Sequence, residues 1–451
     1  MNRNDLPDTS RDLQLKKSSI DKDLTKLGRV EDAVQNIALK LLAPGLAFVF
    51  LVLAGLFAST QIGAETNAVL LVAAAMLGGY MALNIGANDV ANNVGPAVGS
   101  KALTIVGALV IAAIFECAGA LLAGGDVVKT ISKGIIDPSL IADPQIFIWA
   151  MMSALIASAL WVNLATWLNA PVSTTHAVVG GVLGAGVAAS SFATVNWPIV
   201  GAIAASWVIS PVMGGVIAAF FLAIIKTFII YQDDKIAAAR RWVPWLIAIM
   251  AAAFSAYLMM KGLKRIFKPD ITIVLMTAFI VLIGSWALLK PVIHRQSEGL
   301  ENRNQSLRKL FHYPLICSAA LLSFAHGAND VANAVGPVAA IISSVQTGAI
   351  ASKVDLPVWV MLIGGIGISM GLFLFGPRLI VMVGEQITRM NPMRAFCVAL
   401  SAAITVIVAS GLGLPVSSTH IAVGAVFGVG FFREYYTARS KRRRKYVLTH
   451  P

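Results

Sequence analysis

Apolar stretches recur along this chain at 41–58, 67–84, 102–123, 146–168, 197–230, 242–260, 271–289, 313–325, 356–376, 393–412 and 421–432, and that rhythm decides the kind of fold open to it. A helix that crosses a bilayer needs about 20 mostly apolar residues. With 57% hydrophobic and 13% charged residues, the composition is far more apolar than the soluble norm of about half apolar and a quarter charged. The expected fold is an all-α polytopic protein embedded in a lipid bilayer, with about 11 to 13 spans once long and broken runs are allowed for.

Charge is gathered at the ends and in the loops. Residues 1–40 mix lysine and arginine with acids and lack the short basic start and small-residue cleavage site of a secretory signal, so they read as a hydrophilic cytoplasmic tail. The formal charge of +13, from 35 basic against 22 acidic residues, fits the lysine and arginine bias of cytoplasmic loops and not nucleic-acid binding. The basic residues lie beside apolar spans and in the tail KRRRK at 441–445. This bias does not settle topology, because KIAAARR (235–241) and KGLKRIFK (261–268) are both basic yet flank one apparent span. Cys117, Cys317 and Cys397 lie far apart inside apolar runs without metal-type spacing, and read as packing residues. The resulting plan is a tail at 1–40, an extra span and loop at 41–65, a first transmembrane half at 66–289, a polar linker at 290–312, a second half at 313–432 and a basic tail at 433–451.

The two halves are variants of one text. GANDVANNVGPAV (86–98) and GANDVANAVGPVA (327–339) agree at 10 of 13 positions, and PVSTTHAVVGGVLGAGV (171–187) and PVSSTHIAVGAVFGVGF (415–431) at 10 of 17. The first motif precedes the second by 85 residues in one copy and 88 in the other, so whole half-proteins repeat. A 241-residue period is too long for a solenoid unit of roughly 20 to 50 residues. It fits the two-half construction of secondary transporters, whose site helices are interrupted at matching places. Gly86, Gly95 and Pro96, and their counterparts Gly327, Gly336 and Pro337, are the expected interruptions.

On a helix Asn88, Asp89 and Asn92 can share a face, and Asn329, Asp330 and Asn333 repeat the arrangement. A carboxylate, amide oxygens and carbonyls freed at a helix break would suit a hard cation such as sodium, with Asp89 and Asp330 as its charged ligands. The second motif is of opposite character. Proline followed by Ser173, Thr174 and Thr175, and again by Ser417, Ser418 and Thr419, marks a helix N-terminus whose free N–H groups and hydroxyls suit an anion. No lysine or arginine occurs in any of the four motifs. An anion held there beside two aspartates requires cations, and by linkage each ligand raises the other's affinity. Hydrogen phosphate has an O–H for a carboxylate to accept, whereas sulfate has none, so phosphate is the better match.

Plainer readings compete. The serines and threonines are also ordinary helix caps, and the asparagines and glycines could simply pack spans together. His176 and His420, three residues after Ser173 and Ser417, suggest a nucleophile and base, but both copies carry the set and no nucleophile elbow surrounds it. The histidines are expected to orient the turn. Glu116, late in the apolar run IFECAGALLAGG, is an intramembrane acid and hence a candidate site residue. Asp126, Lys129, Lys133 and Glu385 read as membrane-surface residues.

With both GANDVAN signatures, the form FAHGANDVANAVGP (324–337), the paired PVSTTH and PVSSTH elements, and IFECAGALLAGGDVVKTISKGIID (114–137), the chain resembles the inorganic phosphate transporter family, the PiT or solute carrier 20 type, over roughly residues 66–432. The resemblance implies an inverted-topology repeat of about 12 transmembrane helices, dimeric, with broken or re-entrant helices at the substrate site. It also implies sodium:phosphate symport across the bacterial inner membrane, with proton-coupled phosphate or metal-phosphate transport, or sulfate permeation, as alternatives. Carried over by position, Asn88, Asp89, Asn92, Asn329, Asp330 and Asn333 would bind ion and phosphate, Glu116 would match the family's glutamate, and residues 173–175 and 417–419 would complete the sites. No cofactor beyond the coupling cation is implied. The chain departs from the family pattern in its extra segment before residue 66, and in lacking, in the second half, a threonine equivalent to Thr130.

Overall fold

The computed structural model describes residues 19–63, 67–137, 140–141, 143–262, 269–347, 356–384 and 390–438, with side chains from residue 41 onward. Glu385, the 441–445 tail, residues 1–18 and most of the basic run at 261–268 lie outside the described residues.

Among the described residues the fold is helical, with one isolated bridge between Ile136 and Val195. The elements are α1 (Ser19–Ile62), α2 (Ala68–Asn88), α3 (Ala91–Gly99), α4 (Ile105–Ala123), α5 (Gly125–Lys133), α6 (Pro144–Trp167), α7 (Thr174–Ala189), α8 (Trp197–Ile225), α9 (Lys235–Tyr257), α10 (Ile271–Ser297), α11 (Asn304–Leu310), α12 (His312–Thr347), α13 (Val358–Met382), α14 (Pro392–Gly411) and α15 (Ser418–Ala438). Residues 1–49 and 50–451 form separate units. The first contains the amino-terminal part of α1, where Leu41, Leu42, Leu46 and Phe48 are exposed; the second contains the remaining helices.

Ten helical segments of the described residues are long and apolar enough to cross a membrane. Several begin where the sequence supplies a cap. Thr104 Oγ1 accepts from Gly107 N (3.1 Å), Asp143 from Gln145 N (2.8 Å) with Pro144 next in the chain, and Asp234 from Ala237 N (2.9 Å). Each such bond satisfies one of the orphan donors at a helix start. The run read at 313–325 becomes the 36-residue α12 because its polar continuation is buried against other helices and not exposed to lipid.

The repeat-related elements are α2–α3 and α12, α4 and α13, α6 and α14, α7 and α15. They pack reciprocally, α12 along α4 and α13 along α2, so the motif helix of each half lies against a helix of the other. A Cβ at Gly327 would strike the Glu116 carbonyl, and one at Gly86 the carbonyl of Ile368. These two glycines therefore serve close helix approach, and the chain stays helical through them. In the first copy the winding tightens only at Asp89–Val90, where Asn92 N bonds Asp89 O and Asn93 N bonds Val90 O, both 3.0 Å. In the second copy α12 runs without a break through Gly327, Gly336 and Pro337. The chain reverses elsewhere: α7 and α15 start at buried residues, Thr174 (0% exposed) and Ser418 (2%), after short turns from α6 and α14 in which Leu168 and Leu412 are exposed.

Candidate functional site

The two motif helices and the two interior helix starts converge on one buried cluster. Asp89, at the tightened turn between α2 and α3, accepts the hydroxyl of Thr174 at Oδ2 and that of Thr419 at Oδ1, both 2.6 Å. One carboxylate is thus held by a threonine from each half of the chain. Asn92 donates to Thr419 Oγ1 (2.9 Å), and Asn333 to Thr175 Oγ1 (3.1 Å), so each half's second asparagine reaches the hydroxyl helix of the other.

The first asparagines act within their own halves. Asn88 donates to Thr166 Oγ1 and Ala170 O and accepts from Val172 N, all 3.0 Å, which fixes the turn that leads into α7. Asn329 repeats the pattern on the turn before α15, with Ser410 Oγ (2.8 Å), Leu414 O (3.3 Å) and Val416 N (3.4 Å). The opposite amide orientation would exchange the Leu414 O and Val416 N contacts for Nδ2 donating to Asp330 Oδ1 (3.0 Å) and Val416 O (3.1 Å), with Ser410 Oγ donating to Oδ1 (2.8 Å); the repeat-related Asn88, which accepts from Val172 N at 3.0 Å, matches the orientation given. Asn88 and Asn92 are therefore close along one helix yet serve different partners, as do Asn329 and Asn333.

Ser173 and Ser417 cap their helices, accepting from His176 N (3.1 Å) and His420 N (3.3 Å). The imidazoles of His176 and His420 stack away from the capping hydroxyls. They meet each other edge to face, with centroids 4.7 Å apart, and His176 lies against Trp207 at 3.8 Å. Trp207 donates to Pro415 O (3.1 Å), which ties α8 to the second turn.

Glu116, on α4, is fully buried, and both its oxygens are engaged: Oε1 accepts from Asn93 Nδ2 (2.8 Å) and Oε2 lies 2.7 Å from His326 Nδ1. His326 Nε2 in turn lies 2.7 Å from Asp330 Oδ2, a charge contact whose direction is off-line for a hydrogen bond, and 4.0 Å from Asp89 Oδ2. His326 and Asn93 are the members that the sequence reading did not single out. The available signal was the i, i+4 spacing of His326 and Asp330 on one helical face.

Ligating atoms of Asp89, His326 and Asp330 lie within 4.8 Å of one another, a grouping able to hold a cation. Around it Asp330 Oδ2, Asn333 Oδ1 and Ser418 Oγ are buried without a hydrogen-bond partner among the described residues. Buried polar atoms are normally satisfied by protein, water or ligand, so this oxygen-rich set has free acceptor capacity for a water, a cation or another ligand. His326 is the one basic side chain in contact with these acids among the described residues. A groove of about 540 Å³ between α8 and α15, lined by Pro211, Val216, Gly424, Phe427 and Phe431 among others, is apolar and shares no residue with the cluster.

Residues 85–449 match the model of the phosphate transporter family. A Helicobacter pylori (strain J99) protein named as a phosphate permease is 49% identical over 424 residues, 93% of this chain and 80% of that protein. A Haemophilus influenzae protein so named is 38% identical over 367 residues, 80% of this chain and 87% of its own length. A solved structure described as the sodium-dependent phosphate transporter is similar with a TM-score of 0.77 and 37% identity, covering 81% of this chain and 90% of that one.

Proposed function

The chain belongs to the phosphate transporter family, and on that premise we propose that it carries inorganic phosphate across the bacterial inner membrane as a sodium:phosphate symporter. It is an integral multi-pass membrane protein, and a transporter and not an enzyme. The observation that carries the coupling is an excess of buried acid. Asp89, Glu116 and Asp330 share one imidazole and no lysine or arginine among the described residues, so with all three acids ionised even a charged His326 leaves two negative charges before the substrate arrives. An anion enters such a site only with cations, because an uncompensated buried charge is strongly penalised.

In this reading Asp89 and Asp330 hold sodium, with oxygens of Thr174, Thr175, Ser418, Thr419, Asn92 and Asn333 completing its shell. Phosphate lies against the N–H groups at the starts of α7 and α15, with Ser173 and Ser417 shaping those ends and Asn88 and Asn329 holding the turns rigid. Its O–H donates to a carboxylate, which favours hydrogen phosphate over sulfate. The reciprocal packing of α2 with α13 and of α12 with α4 supports a pseudo-two-fold relation between the halves; the inverted topology and the dimer are what the family resemblance implies.

Uptake of labelled phosphate into proteoliposomes, with sodium, potassium and pH gradients imposed separately, tests the proposal. Accumulation driven by sodium alone, and resistant to excess sulfate, is expected; accumulation indifferent to sodium would sink the coupling. A pH gradient as the sole effective drive would establish the second reading, proton-coupled transport of phosphate or a metal-phosphate complex, which His326 between two acids favours.

A further inference from the structure

One helix interface carries a polar strap that its repeat-related interface lacks. A shift of 241 residues takes Gly86 to Gly327 and Leu83 to Phe324, and a shift of 252 takes Gly119 to Gly371 and Glu116 to Ile368. The close approaches obey both shifts. Gly327 abuts the Glu116 carbonyl as Gly86 abuts that of Ile368, and Gly119 abuts the Phe324 carbonyl as Gly371 abuts that of Leu83. Glu116 therefore occupies the place of Ile368, His326 that of Ile85, and Asn93 that of Ala334. All six are buried.

On the α4–α12 side these residues form a chain from Asn93 through Glu116 and His326 to Asp330, with contacts of 2.8, 2.7 and 2.7 Å. The equivalent places, Ile85 on α2, Ile368 on α13 and Ala334 on α12, are apolar. The strap coincides with a difference between the two aspartates. Asp89 takes the hydroxyls of Thr174 and Thr419. A shift of 244 residues takes Thr174 to Ser418 and Thr175 to Thr419, so the matching donors for Asp330 are Ser418 and Thr175. Neither bonds to it: Thr175 donates to Val416 O (3.1 Å), and Ser418 Oγ has no partner among the described residues. Asp330 is drawn to His326 instead.

Packing alone does not call for the strap, since Ile85 and Ile368 fill the equivalent space. An apolar pair is often as stable as a buried ionic one. We propose that Asn93 and Glu116, acting through His326, are positioning residues that hold Asp330 away from the hydroxyl donors its counterpart uses, so that the two acids of the duplicated motif offer the coupling cation unlike seats. Glu116 acts at one remove, because Asn93 and His326 occupy both its oxygens. This inference rests on the cation-coupled reading of the site.

The test installs the residues of the equivalent interface together, Asn93→Ala with Glu116→Ile and His326→Ile, and measures phosphate binding to purified carrier across a sodium titration, beside its melting temperature. Partners that orient ligating groups are worth about tenfold or more in affinity. The triple variant is expected to melt near the parent and to shift its half-saturating sodium concentration by about that factor. A parent-like titration and phosphate affinity would overturn the proposal. Should the triple variant fail to fold, Glu116→Gln keeps the side-chain shape and the Asn93 bond while changing the group that faces His326. A shift of about tenfold at unchanged melting temperature is then expected, and no shift overturns the proposal. A parent carrier indifferent to sodium would instead refute the coupling, and the strap would be judged on phosphate affinity alone, where an unchanged value in the variants still overturns it.

Discussion

Helices α10 and α12 are both long enough to span a bilayer, yet in burial they are the two extremes of the ten candidate spans among the described residues. α12 is the least apolar of these segments and the most buried, at 89%, whereas α10 is among the most apolar and only 6% buried. In a water-soluble protein the order would be reversed. Lipid is as apolar as leucine, so an apolar face gains little by turning inward, while a polar one must find partners there. On α12 Ser318, Ser323, His326, Asn329, Asp330, Asn333 and Ser344 are all buried. On α10 Phe279 and Ile280 are 63% and 65% exposed, and α9 is its main neighbour.

Placing one substitution on both helices sharpens that contrast. Gly327→Leu on α12 drives a side chain into the Glu116 backbone, and backbone carbonyls cannot step aside. Overpacking of this kind costs about 3 kcal/mol or more, and the expected outcome is loss of monodisperse protein in detergent. Wild-type melting of this variant would show that the α4–α12 contact is looser than described. Next in size are Asp330→Asn on α12 and Asp89→Asn on its counterpart. Each should leave the fold intact and abolish concentrative phosphate uptake; sodium-driven accumulation at the parent rate in either variant would remove that aspartate from the mechanism. The smallest effects belong to α10, where a Cβ on Gly284 meets nothing within 4 Å. Gly284→Leu should not destabilise the protein, since a glycine inside a helix costs up to about 1 kcal/mol, and Ile280→Ala should change stability by less than about 0.5 kcal/mol, as surface substitutions usually do. A melting shift as large as that of a core substitution would mean that α10 has a partner in the membrane, such as a second copy.

Apolar runs located the helices because length and hydropathy are read directly from composition along the chain, but polar ends blurred their limits. The run ending at 325 stopped where GANDVAN began, although the helix continues to Thr347. Duplication likewise exposed Asp89, Asp330 and the four asparagines. It could not show that Asn88 serves its own half and Asn92 the other, because the seam between halves passes between residues that share a helical face. His326 was hidden by the method that found the rest. It stands where the first copy has Ile85, and a search for repeated residues discards a position that does not repeat. Its importance appears only when α4 and α12 are seen to touch, since its partner Glu116 is 210 residues distant.

The two threonines on Asp89 come one from each copy of the motif. Neither copy by itself contains the whole clasp, so cutting the chain between the halves separates the acid from one of its two hydroxyl donors, and the seat exists only while both halves are docked.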